Sequence, residues 1–185
     1  MKAPVFVPLQ TLVKREMTRI FRIWTQSLLP SVVTTTLYFL IFGAFIGSQV
    51  RDIEGVSYVQ FIVPGLVMLA VINNSFMNVV GSFFGNKFQR SIEEILVSPT
   101  PNWVILLGYS SGGLVRGLLV GGIVLAIAFG FTDISVDNVL ITLIFAVLTS
   151  LTFSFAGLLN AIFAQKFDHI SIVPTFVLTP LTYLG

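Results

Sequence analysis

Few residues in this chain are of types that do chemistry, and their spacing argues against a reaction centre. Glu93 and Glu94 are adjacent, so on a helix they diverge by about 100° and cannot serve as acid and base at one substrate atom. His169, the single histidine, follows Asp168 and has no second histidine with which to hold a metal, so it reads as a solvated loop residue. Cysteine is absent, which removes thiolate nucleophiles, disulfides and cysteine metal sites. The nearest string to a nucleotide phosphate loop, GSFFGNKF at 81–88, has the wrong spacing. What remains is a set of polar and small residues suited to recognition or packing, and one charged stretch, RSIEEILVSPTPNWVILLG at 90–108.

The surroundings of that stretch are very apolar. Of 185 residues 55% are hydrophobic and only 10% charged, with a mean hydropathy of +0.96, so lipid must solvate most of the chain. A net charge of +2 is too small to point to a nucleic-acid partner. Crossing the hydrocarbon takes roughly 20 apolar residues. Four complete runs of that kind are predicted at 28–46, 61–84, 112–131 and 139–163, and a fifth begins near Ile170 and is still apolar at Gly185. The fold class expected is all-α: a polytopic helical membrane protein with an N-terminal interfacial helix, four transmembrane helices and the start of a fifth. Residues 1–185 then form a single transmembrane domain, C-terminally incomplete.

Lysine and arginine set the orientation. Lys2, Lys14, Arg15, Arg19 and Arg22 precede the first run, whereas the loop after it offers Arg51 beside Asp52 and Glu54. Lys87 and Arg90 mark the second loop as cytoplasmic, Asp133 and Asp137 the third as external, and Lys166 the fourth as cytoplasmic again. The N-terminus is therefore expected inside. Residues 1–26 lack the short h-region and cleavage site of a signal peptide. Leu9, Leu12, Val13, Met17, Ile20, Phe21 and Trp24 recur on one helical face and Lys14, Arg15, Thr18 and Arg22 on the other, the pattern of a helix in the headgroup layer bracketed by Pro8 and Pro30. The same cations also suit a flank that merely sets topology.

Within the runs, Asn74, Asn78 and Ser82 share one helical face, either a polar lining for a translocation route or hydrogen-bonding glue between spans, the glue being slightly preferred. Gly113, Gly117 and Gly121 repeat every four residues and predict a flat strip for close helix packing. Ser150, Ser154 and Gly157 form a second small-residue face, with Asn160 a turn further on. Arg116, about a turn inside the start of its run, can reach lipid phosphates, with contact to an anionic substrate as the less favoured role. Pro64 and Pro174 are candidate kinks.

The charged stretch itself must leave the hydrocarbon, because Arg90, Glu93 and Glu94 would each cost at least ~2.5 kcal/mol near the bilayer centre. Pro99 and Pro101 prevent a helix from running on into the third span, so a short separate surface helix is predicted over 90–97. Its sequence resembles the cytoplasmic segment of type-2 ABC transporter permeases, in which a charged residue and a short helix lead into "L-V-S-P" and an "illg" run. The order of elements and the LTPLTYLG at 178–185 are similar to that family too, while Ser91 and Ile92 stand where a Gly-Thr pair is common.

The resemblance implies a permease subunit of an ATP-driven exporter in the bacterial cytoplasmic (inner) membrane, six-spanning when intact and paired as a homodimer. Such permeases move drugs, lipids, polysaccharides or lipid-linked sugars. The chain itself would bind no cofactor, ATP and Mg²⁺ belonging to a separate cytoplasmic ABC ATPase. Arg90, Ser91, Ile92, Glu93, Glu94, Ile95, Leu96, Val97, Ser98 and Pro99 would form the segment coupled to that ATPase, with Ile92, Ile95 and Leu96 as the apolar face in its cleft. A secondary transporter or channel subunit is the alternative, and would need an acid inside a span, where none is found. A membrane-embedded enzyme ranks third, for want of a His, Asp or Glu cluster.

Overall fold

The computed structural model describes residues 5–41, 57–132 and 138–184. Lys2, Arg51, Asp52, Glu54, Asp133 and Asp137, and the end of the first predicted span, lie outside them. The described residues are helical throughout apart from short connections: α1 (Phe6–Arg22), α2 (Trp24–Tyr38), α3 (Tyr58–Phe88), α4 (Ser91–Val97), α5 (Asn102–Phe131), α6 (Val139–Phe163) and α7 (Phe167–Val173), the last leading through a π segment (Pro174–Leu178) into α8 (Thr179–Leu184).

Three of these, α3, α5 and α6, are long and apolar enough to cross a membrane. They form the core, with α3 packed extensively on both α5 and α6. Each start is chemically specified. Ser57 and Gln60 make a reciprocal capping box on α3, and Asn138 accepts from the Ile141 N–H at the head of α6. At the other end, Lys87 Nζ donates to the carbonyls of Ile162 and Ala164, at 2.6 and 2.7 Å, so a cation from α3 closes the C-terminus of α6. Outward-facing Leu140, Leu143, Phe145, Leu148 and Leu159 of α6 are exposed, as a lipid-solvated surface requires.

Two boundaries differ from expectation. The first helix breaks at Ile23, not at Pro30, so Trp24 opens α2 and does not belong to the N-terminal helix. Pro8 sits within the first turn of α1, where its missing N–H costs nothing, and Pro30 is accommodated inside α2. The direction of α1 is set by tertiary contact: Leu12, Glu16 and Ile20 are buried, with Leu12 over Gly108 and Glu16 over Gly112 of α5. The third span starts ten residues earlier than predicted, at Asn102. Its 30 residues measure about 45 Å, longer than a hydrocarbon layer of about 30 Å. The added turns carry Gly108, which with Gly112 at the start of the predicted run forms the surface α1 packs on.

Candidate functional site

Helix α4 is a surface helix of about two turns, sharply bounded. Arg90 enters it with φ of 59°, a left-handed conformation that costs a non-glycine residue about 1–2 kcal/mol, and so reverses the chain immediately after α3. Ser91 Oγ, 3.2 Å from both the carbonyl and the side-chain oxygen of Asn86, ties the new helix to the end of α3. At its far end Ser98 Oγ donates to the Ile95 carbonyl at 2.6 Å and meets the Thr100 hydroxyl at 2.8 Å, before Pro99 and Pro101. The helix predicted between a charged start and two prolines is therefore present, over Ser91–Val97.

Its faces divide differently from the reading above. Ile92 is 7% exposed and packs with Val79, Ile105, Tyr109 and Leu158, with Ile95 beside it, so these two bolt α4 to its own core and do not point outward. Leu96, at 62%, and Val97, at 87%, are the apolar side chains left uncovered, together with exposed Glu93, Glu94, Arg90 and Pro99. A helix of seven residues has two apolar directions only when one is used internally, and here the core claims the Ile92 side.

Behind α4 runs a continuous polar chain. Glu16 of α1, 1% exposed, accepts from Arg19 Nη2 at 2.9 Å and from Ser82 Oγ at 2.6 Å. Arg19 Nη2 also reaches Asn78 Oδ1 at 2.9 Å. One turn beyond Ser82, Asn86 donates to the Ser82 carbonyl at 2.9 Å and to the Tyr109 hydroxyl at 3.0 Å, and Asn86 is the residue Ser91 holds. Arg15 closes the set, its guanidinium 5.1 Å from the Tyr109 ring centroid and 3.7 Å from the Glu16 carboxylate. Burying a carboxylate is expensive unless it is paired and fully hydrogen-bonded, and Glu16 has both. The chain thus joins α1, α3, α5 and α4 through directional bonds.

The predicted polar face of α3 is resolved into separate duties. Asn78 and Ser82 are consumed by Arg19 and Glu16, whereas Asn74 donates to the Ala70 carbonyl at 2.9 Å and meets Ser31 of α2 at 3.3 Å. Asn73 and Asn74 border a cleft of about 310 Å³ between α2 and α3, lined also by Ser31, Thr34 and Tyr38. Arg19, one of the cations assigned to the interfacial helix, is turned toward Glu16 and Asn78. Arg116 donates through Nη2 to the Ser27 carbonyl at 3.1 Å, bracing α5 against the start of α2. His169 lies in the first turn of α7, half-buried, with Nδ1 3.5 Å from the Gln165 N–H.

The glycine strip is a packing surface. A methyl group on Gly113 would meet Ser154 and, at 2.9 Å, the Ser75 carbonyl; on Gly117 it would meet Ser75 Oγ and, at 2.9 Å, Ser150 Oγ; on Gly121 it would lie 2.5 Å from Val71. Ser75 and Ser150 hydroxyls bond to each other at 2.7 Å across the space Gly117 leaves. Gly157 of α6 faces the Phe76 carbonyl at 2.6 Å in the same sense. Glu16, Ser75, Asn86 and Tyr109 escaped the sequence reading. Glu16 had left a sign, since it lies four residues from both Leu12 and Ile20 on the apolar stripe of α1.

An all-helical bundle with three spanning-length helices, apolar outer faces and a charged helix at one end defines an integral membrane protein of the multi-span class. Residues 8–185 match the sequence model of the ABC-2 type transporter, and the chain belongs to that family. It is 55% identical over 180 residues to the inner membrane transport permease YadH of Escherichia coli K12, a match covering 97% of this chain and 70% of the relative, and equally to YadH of Shigella flexneri. Nodulation protein J of Rhizobium leguminosarum bv. trifolii is 29% identical over 162 residues, 86% of this chain and 61% of that protein. No solved structure matches.

Proposed function

We propose that the chain is the transmembrane subunit of an ATP-driven exporter of the bacterial inner membrane, working as a homodimer with a separate cytoplasmic ABC ATPase that carries ATP and Mg²⁺. The family supports association with such an ATPase, and the name of the relative YadH supports transport at the inner membrane. The observation that carries the reading is α4. It is a surface helix whose inner side is bonded to the ends of α3 and α5 and whose outer side leaves Leu96, Val97, Glu93 and Glu94 uncovered. A partner that moves α4 therefore pushes on two long helices at once, which is what a permease needs in order to be driven from outside. The basic N-terminal flank supports a cytoplasmic N-terminus, and Lys87 and Arg90 support the same side for α4. The cleft beside Asn73 and Asn74 is the site we assign to cargo, which is a lipid, drug, polysaccharide or lipid-linked sugar.

The test is co-purification of the tagged chain with an ABC ATPase encoded beside it. The pair, reconstituted in vesicles, is expected to hydrolyse ATP, and the chain alone is not. Failure to retain any ATPase, or hydrolysis by the isolated chain, would remove the assignment.

A further inference from the structure

The cytoplasmic half of α3 has a bare side that the bundle does not use. Gly81 and Gly85, four residues apart, have no atom within 4 Å of the position a Cβ would take, unlike the strip on α5. Met77, one turn toward the middle of α3, is 42% exposed and continues the same line. Against this side stands α1, and between the two helices lies a cleft of about 230 Å³ whose walls include Arg15, Arg19 and Arg22. The single carboxylate in that wall, Glu16, is already satisfied by Arg19 and Ser82. Arg22 has no partner among the described residues, and Arg19 Nε is buried without an acceptor. Three guanidiniums beside one already paired carboxylate form a donor-rich cleft, and Gly81 and Gly85 leave the helix surface of α3 open next to it, in line with exposed Met77.

From this combination we infer that the cleft between α1 and α3 is a binding site for an anionic phospholipid, its phosphate held by Arg15, Arg19 and Arg22 and an acyl chain laid along Met77, Gly81 and Gly85. Guanidinium forks match phosphate oxygens in pairs, and the groove lets the lipid body lie against helix backbone without a side chain to displace. The glycines are spaced as in a helix-packing strip, but the occupant suited to a groove ending among three arginines is a lipid with a charged head. The inference does not depend on the transport reading; it needs only α1 to lie at the membrane surface.

The experiment is native mass spectrometry of the purified chain after delipidation and re-addition of phosphatidylglycerol or phosphatidylcholine of identical acyl chains. Phosphatidylglycerol is expected to be retained in preference. Arg22→Gln should lower its retention about fivefold, the contribution of one arginine at a charged surface. Gly85→Leu, which fills the groove and leaves every charge in place, should abolish the preference, while Gly122→Leu, at another open glycine outside the cleft, should not. Equal retention of the two lipids, or unchanged retention in Gly85→Leu, would overturn the inference. So would loss of self-association in Gly85→Leu with lipid retention intact, which would make the groove a contact between copies. Displacement of the lipid by inorganic phosphate, but not by chloride at equal ionic strength, would point to a free-phosphate site instead.

Discussion

The middle and the C-terminal end of α3 are held by opposite means. Its middle meets α5 and α6 where Gly113, Gly117, Gly121 and Gly157 remove side chains, so backbones approach closely and the polar bonds are few, a short one between Ser75 and Ser150 and longer ones from Ser150 to the Gly113 and Leu114 carbonyls. Its C-terminal end meets α1, α4 and α5 through Asn78, Ser82 and Asn86, each bonded to a charged or hydroxyl-bearing partner. In lipid the first arrangement is the natural one, because apolar helices gain little from burial and associate through close contact. The second arrangement fixes direction and register, because a hydrogen bond tolerates little misalignment and a buried charge tolerates none. The molecule thus combines a tightly closed interior with a keyed surface attachment for α4.

The difference can be broken most sharply at its closed end. Gly117→Leu should cost about 3 kcal/mol or more, because the added atoms meet Ser75, Ser150 and, at 3.2 Å, the Val71 carbonyl, and backbone cannot swing aside. Gly130→Leu, where a Cβ meets nothing, should leave folded yield in detergent near wild type. Equal yields would mean that the strip does not close the interior.

Next in size is the keyed end. Glu16→Gln removes the charge that Arg19 pairs with, and because Glu16 is buried while the Arg19 side chain is 30% exposed, loss of this charged hydrogen bond should cost about 1.5–3 kcal/mol. Thermal unfolding in detergent should fall accordingly, and combining Glu16→Gln with Arg19→Met should recover part of the loss, since no charge is then stranded. If the single and double variants unfold alike, Glu16 and Arg19 are not coupled. The smallest effect sharpens the contrast: Ser75→Ala should cost only about 0.6 kcal/mol, because in the closed region contact and not hydrogen bonding does the holding. A loss as large as that of Glu16→Gln would erase the distinction between the two regions.

Much of the closed region was readable in the sequence, and little of the keyed one. Glycines at intervals of four announce a flat strip whatever lies opposite, and charges followed by two prolines announce a short surface helix. Which way that helix faces was not readable, because Ile92, Ile95 and Leu96 are equally apolar and only the position of Tyr109 and Leu158 decides that Ile92 goes inward. The start of α5 was hidden by Gly108, Ser110 and Ser111, which interrupt the apolar run yet are the small residues that face α1 or lie beside it. The break at Ile23 has no proline or glycine to mark it and follows from the docking of α1 on α5.

On the function proposed above, α4 is fastened on one side and free on the other so that a cytoplasmic ATPase can seize it. The most direct measurement compares Val97→Asp with Ile92→Ala in vesicles that contain the chain and its ATPase, reading membrane insertion, ATPase co-purification and ATP hydrolysis together. Val97, 87% exposed, should be dispensable for folding, so Val97→Asp should insert and remain intact while losing the ATPase. Ile92→Ala should instead lower stability by about 2–4 kcal/mol as its contacts with Tyr109 and Val79 are lost. If Val97→Asp binds the ATPase and supports hydrolysis as the wild type does, the free face of α4 is not the docking surface and the coupling role is wrong.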